Sequence, residues 1–132
     1  MNSFAPAAMQ GLHLVADLQA CACAPALLSD APALVRLARD AVLAAGLTVV
    51  GEAFHRFPDA GEQAGGVTGT LLLAESHVAL HTWPEFGAVT LDVYVCNYSA
   101  DNSVRAEQLM DALLRLFQPA AARRQQLLRC VP

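Results

Sequence analysis

The segment Glu75-Ser76-His77-Val78-Ala79-Leu80-His81-Thr82-Trp83-Pro84-Glu85 concentrates groups able to do chemistry. The Ser76 hydroxyl directly follows the Glu75 peptide carbonyl, an imidazole stands five residues on at His81, and Trp83 and Glu85 lie just beyond. Cys96 follows Ser76 by twenty positions. If the backbone between Glu75 and Ser76 is strained, the hydroxyl can attack the preceding carbonyl and turn the amide into an ester. Removal of the Ser76 α-proton then expels the Glu75 carboxylate and leaves dehydroalanine. Hydrolysis of that species releases ammonia and leaves a pyruvoyl group at the new N-terminus. His81 is a suitable base, because an imidazole titrates near neutrality. Thr68, on the preceding strand, can donate a hydrogen bond to the oxyanion of the acyl shift. A pyruvoyl ketone forms a Schiff base with a substrate amine and draws electrons from its α-carbon, as pyridoxal phosphate does elsewhere. Loss of CO₂ leaves a carbanion, and a protonated Cys96 thiol is a suitable acid to quench it.

Each of these residues also has an ordinary structural explanation. A Ser-His pair on strands usually makes surface hydrogen bonds. His81 can be a satisfied core histidine, Phe57 and Trp83 core aromatics, Glu85 a solvated turn residue and Cys96 a small buried hydrophobe. Strand alternation puts Ser76 and His81 on opposite faces, so reaction between them demands a bend or bulge near Ser76.

The elements that must position these groups can be read from periodicity. Leu12, Leu14, Ala16 and Leu18 alternate as in a half-buried strand. Ser29-Asp30 can cap a helix with Pro32 in its first turn; Leu34, Val35, Ala38, Val42 and Leu43 recur at helical spacing until Gly46. Leu47 to Phe57 returns to strand character, and residues 58–66 form a loop rich in Gly and Pro. Val67–Glu75 and His77–Trp83 read as strands, Pro84–Gly87 as a turn, and Ala88–Cys96 as a strand with Val89, Leu91, Val93 and Val95 on one face. Asp101 or Ser103 starts a second helix with an apolar stripe of Val104, Leu109, Leu113 and Phe117, and a weakly patterned strand covers Arg124–Val131. The order β-α-β-β-β-β-α-β favours a single α+β domain over residues 1–132. It is a two-layer sandwich with both helices on one face of a mainly antiparallel sheet. An apolar bare face would have to be covered, most simply by a second copy of the chain.

Composition narrows the function classes. With 132 residues, 55% hydrophobic and 15% charged, the chain can bury a core without staples, and its lean charge suits a surface partly covered by another subunit. A net charge of −4 and no Lys/Arg cluster argue against nucleic acid or an anionic membrane as partner. The opening Met1-Asn2-Ser3-Phe4 lacks the basic region of a secretory signal, and no apolar run is long enough to span a bilayer. A cytoplasmic location with reduced cysteines is expected. Cys21, Cys23 and Cys130 have neither redox nor zinc spacing and read as packing or surface thiols; no metal site is expected.

Glu75-Ser76-His77, His81-Thr82-Trp83-Pro84-Glu85 and Cys96 resemble, in type and spacing, the signature of the short prokaryotic S-adenosylmethionine decarboxylases. The resemblance extends to Gly11–Asp17, Phe54-His55-Arg56-Phe57 and Gly66-Val67-Thr68-Gly69, covering most of residues 11–118. It implies self-cleavage between Glu75 and Ser76 into a β chain of residues 1–75 and an α chain of 76–132 that carries the pyruvoyl cofactor, with neither metal nor pyridoxal phosphate. It implies an (αβ)₂ dimer with sites at or near the subunit interface, acting in polyamine synthesis. It assigns processing to His81 and Thr68, proton donation to Cys96, adenine and sulfonium contacts to Phe57 and Trp83, and the ribose hydroxyls to Glu85. Two departures stand out. Thr68 occupies a position where the family usually has Ser, so β-branching restricts the hydroxyl. Eight residues, Pro58 to Gly65, separate Phe57 from Gly66, five more than the family usually carries. The same chemistry on ornithine or arginine, and a non-catalytic partner of an active paralogue, are the alternative readings.

Overall fold

The computed structural model describes residues 9–98 and 100–131; the opening Met1–Phe4 stretch lies outside them. The elements are β1 (Met9–Cys21), α1 (Ala31–Ala44), β2 (Val49–Arg56), β3 (Val67–Leu73), β4 (Ser76–Trp83), β5 (Ala88–Cys96), α2 (Ser103–Phe117) and β6 (Pro119–Val131), with short 3₁₀ turns at Pro25–Ser29 and Pro84–Phe86. The strands form one six-stranded sheet, β2-β3-β4-β5-β1-β6, in which every neighbouring pair is antiparallel. This is the α+β sandwich expected from the sequence.

Strand alternation builds the core. Leu12, Leu14, Ala16 and Leu18 of β1, Val78 and Leu80 of β4, and Val89, Leu91, Val93 and Val95 of β5 are all buried on one sheet face. Leu34, Ala38, Ala41 and Val42 of α1 and Ala106, Leu109, Met110, Leu113 and Phe117 of α2 close over them. Each such Leu, Val or Phe contributes roughly 1.5–3 kcal/mol by leaving water. The helix ends follow local chemistry. Asp30 Oδ1 accepts the Ala33 N–H at 3.0 Å, and Gly46 takes the left-handed conformation (φ +82°) that ends α1. Asp101 Oδ1 accepts the Ser103 N–H at 3.0 Å where α2 begins. That bond, with one from the Ser103 side chain, holds the Asp101 carboxyl below the ordinary carboxylate range.

Three details differ from the periodicity. Leu43 and Val104, assigned to apolar stripes, are exposed, whereas Ala41, Ala106 and Met110 fill the buried positions. Both misplaced residues flank a narrower stripe, where residue type alone does not tell edge from centre. The last strand begins at Pro119 and pairs along most of β1. As an edge strand it has one neighbour and is exposed from Ala120 to Cys130, so its sequence carries no alternation. Arg124 uses this edge to reach α2, bonding Asp111 at 2.7 Å and Glu107 at 3.2 Å.

The opposite face of the sheet carries no helix. It presents Thr68 and Thr70 of β3, His77, Ala79, His81 and Trp83 of β4, Asp92, Tyr94 and Cys96 of β5, and His13 and Asp17 of β1. This face is mixed: its polar and aromatic groups stand beside Val15, Leu72 and Leu127, the last two exposed.

Candidate active site

Strand β4 carries most of the site. Its residues His77, Ala79, His81 and Trp83 face the bare side while Val78, Leu80 and Thr82 are buried. Thr82 fixes this stretch: its hydroxyl donates to the Leu28 carbonyl at 2.6 Å and accepts the Val67 N–H at 2.8 Å, both buried. Thr82→Val keeps the shape but strands those two groups. A loss of about 1–3 kcal/mol is expected, read as a fall of several degrees in Tm.

His81 stands beside Thr68 across the β3–β4 pair, with Thr68 Oγ1 2.6 Å from His81 Nδ1. The bond fixes the ring and leaves Nε2 to meet a reacting group. Trp83 lies next along the same face, its ring centroid 6.1 Å from that of His81. Phe57 is 48% and Trp83 38% exposed, so neither is a core aromatic. Glu85 follows in the 3₁₀ turn Pro84–Phe86, also exposed. Phe57, Thr68, His81, Trp83 and Glu85 line one pocket of about 300 Å³, whose wall is completed by part of the loop 58–66 with Val67 and Thr82. The glycines of that wall are required by close approach: a Cβ on Gly65 would lie 1.9 Å from the Phe57 carbonyl oxygen, and one on Gly66 2.1 Å from that of Thr82.

Glu75, Ser76 and Cys96 lie elsewhere. Ala74 and Glu75 form the two-residue turn of the β3–β4 hairpin, and Ser76 opens β4 opposite Leu73 and beside Val95. Ser76 borders a cavity of about 140 Å³ on the helix side, lined also by Gly46, Leu47, Thr48, Glu75 and Asn102. Cys96 is half-buried at the same end of the sheet, on the bare face opposite Gly11. Asn102 joins the two, because its Nδ2 donates to the Cys96 carbonyl at 3.1 Å. No bend brings Ser76 to His81: pairing is continuous from Ser76 to His81 against β3 and from Ser76 to Trp83 against β5. The two residues are therefore on opposite faces and, five residues apart at about 3.3 Å each, roughly 16 Å apart along the strand. The turn sits wholly at Ala74-Glu75, and both residues have negative φ. The bulge that reaction within one chain requires is absent.

The structure also groups residues to which sequence reasoning assigned no role. His13 Nε2 is 3.2 Å from Asp92 Oδ1, Tyr94 packs edge-on to His13 and tilted to His77, and the Arg129 guanidinium lies 5.8 Å over the Tyr94 ring. These five residues come from four strands and meet only through the register, so spacing along the chain gives no signal of them. Cys21 and Cys23 stand apart from the site, and burial pushes both thiols up, away from reactive thiolates. No cluster of three potential metal-ligating residues exists among the described residues.

Residues 12–130 match the model of the S-adenosylmethionine decarboxylase family. The chain belongs to that family. It is 39% identical over 103 residues to the S-adenosylmethionine decarboxylase proenzyme of Symbiobacterium thermophilum, covering 78% of this chain and 73% of that one. It is 33% identical over 111 residues to the proenzyme of the same name from Picrophilus torridus, covering 84% and 77%. The crystal structure of the adenosylmethionine decarboxylase from Aquifex aeolicus VF5 superposes with a TM-score of 0.79 at 31% identity, covering 94% of this chain and 93% of that one. The S-adenosylmethionine decarboxylase family is thus matched over nearly all of the sheet and both helices. No helix among the described residues is long and apolar enough to cross a membrane.

Proposed function

We propose that this chain is a self-processing, pyruvoyl-dependent decarboxylase of S-adenosylmethionine that supplies the aminopropyl donor of polyamine synthesis and works as a pair of cleaved subunits. The observation that carries the reading is the convergence of Phe57, Thr68, His81, Trp83 and Glu85 on one pocket. Its volume of about 300 Å³ suits a nucleoside. Phe57 and Trp83 offer exposed ring faces for a base and a sulfonium, and Glu85 offers a carboxylate to ribose hydroxyls. Ornithine and arginine have no ring to fill this pocket.

Ser76 fits its role as the source of the cofactor. It follows the peptide bond of a tight hairpin turn at the margin of a cavity, so cleavage there severs a turn and leaves the core intact. The pyruvoyl group made from Ser76 supplies a ketone that captures the substrate amine and accepts electrons as CO₂ departs. Cys96, at the same end of the sheet, donates the proton. The location this reading gives is cytoplasmic, where a thiol stays reduced.

A second copy completes the site. The Thr68–His81 pair and Ser76 lie at opposite ends of β4, so two bare faces stacked with antiparallel β4 strands bring the one end over the other. His81 of the partner subunit then lies over the Ser76 end of β4 and serves Ser76 once the hairpin end turns that residue from the helix side to the interface. The substrate spans the interface with its nucleoside in one subunit's pocket. A substrate panel tests the assignment: CO₂ release is expected from S-adenosylmethionine and none from ornithine or arginine. Turnover of a basic amino acid with none of S-adenosylmethionine overturns it.

A further inference from the structure

The loop between β2 and β3 is built by its own polar contacts. The Phe57 N–H donates to the Gly66 carbonyl at 2.8 Å, carrying the β2–β3 ladder one step beyond the strands. Further out, Ala60 and Gln63 pair in both directions, at 2.9 and 3.1 Å, around Gly61 in its left-handed conformation (φ +62°). One carboxylate oxygen closes the base of this small hairpin. Asp59 Oδ1 accepts the Gly65 N–H at 3.0 Å and an Arg56 N–H at 2.8 Å. Arg56 in turn donates to the Ser29 carbonyl at 2.8 Å and the Phe57 carbonyl at 3.3 Å, tying the loop to the 3₁₀ turn Pro25–Ser29. The Gly65 amide and the Arg56 guanidinium hold the Asp59 carboxyl below the ordinary carboxylate range.

Residues 58–63 are exposed, so no core of their own holds them. Yet Pro58, Ala60, Gln63 and Ala64 form a wall of the pocket that contains Trp83 and Glu85. That wall is apolar and uncharged apart from one amide. Gln63 Nε2 donates to the Ala64 carbonyl at 3.2 Å, and its Oε1 remains an acceptor on a side chain that lines the pocket. Methyl groups with a single neutral acceptor suit the face and amino edge of a heteroaromatic base. They suit neither the charged amino-acid end of a substrate nor the ribose hydroxyls, for which Glu85 is the better partner.

We propose that the Asp59-clasped loop Pro58–Gly65 is the specificity wall of the pocket, with Gln63 reading the amino edge of an adenine base and Asp59 acting as its positioning residue. This inference rests on the nucleoside reading of the pocket above. Calorimetric binding of 5′-methylthioadenosine and 5′-methylthioinosine to the processed enzyme tests it. The unsubstituted enzyme is expected to favour the adenine compound by roughly tenfold, the worth of one hydrogen bond, and Gln63→Ala to remove most of that preference. Asp59→Ala is expected to raise KM for S-adenosylmethionine about tenfold with kcat within about twofold. Asp59→Asn, which keeps an acceptor for the Gly65 N–H, recovers part of the loss. Full adenine preference in Gln63→Ala, or an unchanged KM in Asp59→Ala, overturns the inference while the nucleoside reading stands. Failure of the unsubstituted enzyme to bind either nucleoside overturns both.

Discussion

Ser76→Ala is expected to leave one uncut chain and no measurable decarboxylation. Without the hydroxyl there is no acyl shift at the Glu75 carbonyl, hence no cleavage and no ketone. Loss of the nucleophile in other covalent enzymes costs about six orders of magnitude in rate. Here the cofactor itself is missing, so activity falls to background. The variant should still fold, because Ser76 is half-buried at a hairpin end and outside the core. Its Tm should match that of the unsubstituted precursor, which separates lost chemistry from lost structure. A Ser76→Ala protein that still cuts itself at position 76, or still releases CO₂, contradicts the assignment of this residue.

The second prediction concerns the roughly 16 Å that separate Ser76 from His81 along β4. If the site is shared, His81→Ala and Ser76→Ala are each inactive alone but complement each other when co-expressed. In a mixed pair the Ser76 of one subunit meets the intact His81 of the other, while the second site carries both substitutions. Random pairing makes half the dimers mixed with one complete site in each, so roughly a quarter of normal activity returns. Cleaved chains should come only from the His81→Ala subunit, which mass distinguishes. If co-expression restores neither cleavage nor turnover, each site lies within one chain, and a rearrangement of β4 has to bring the two residues together.

Much of the fold was legible because strand alternation and helix caps are local. The buried Val89–Val95 set, the Asp30 cap and the Gly46 stop needed only near neighbours. β6 was half-missed for the opposite reason: its length is set by pairing with β1, about a hundred residues or more away in the chain. The site divides in the same way. Thr68, His81, Trp83 and Glu85 sit on two adjacent strands and a following turn, so a motif reading gathered them, and all four line one pocket. The gap between Ser76 and His81 was legible as an alternation conflict, but the resolving bulge was the wrong remedy. Continuous pairing on both sides of β4 leaves no place for one. The clasp of Asp59 on Gly65 and the His13–Asp92–Tyr94 group depend on loop closure and register, which leave no periodic trace.

The most direct test of the central claim is an intact-mass spectrum of the purified, denatured protein. A self-processing pyruvoyl enzyme gives two species, residues 1–75 and residues 76–132, the latter with pyruvoyl in place of serine. A single uncut chain of 132 residues from a preparation that releases no CO₂ contradicts the claim.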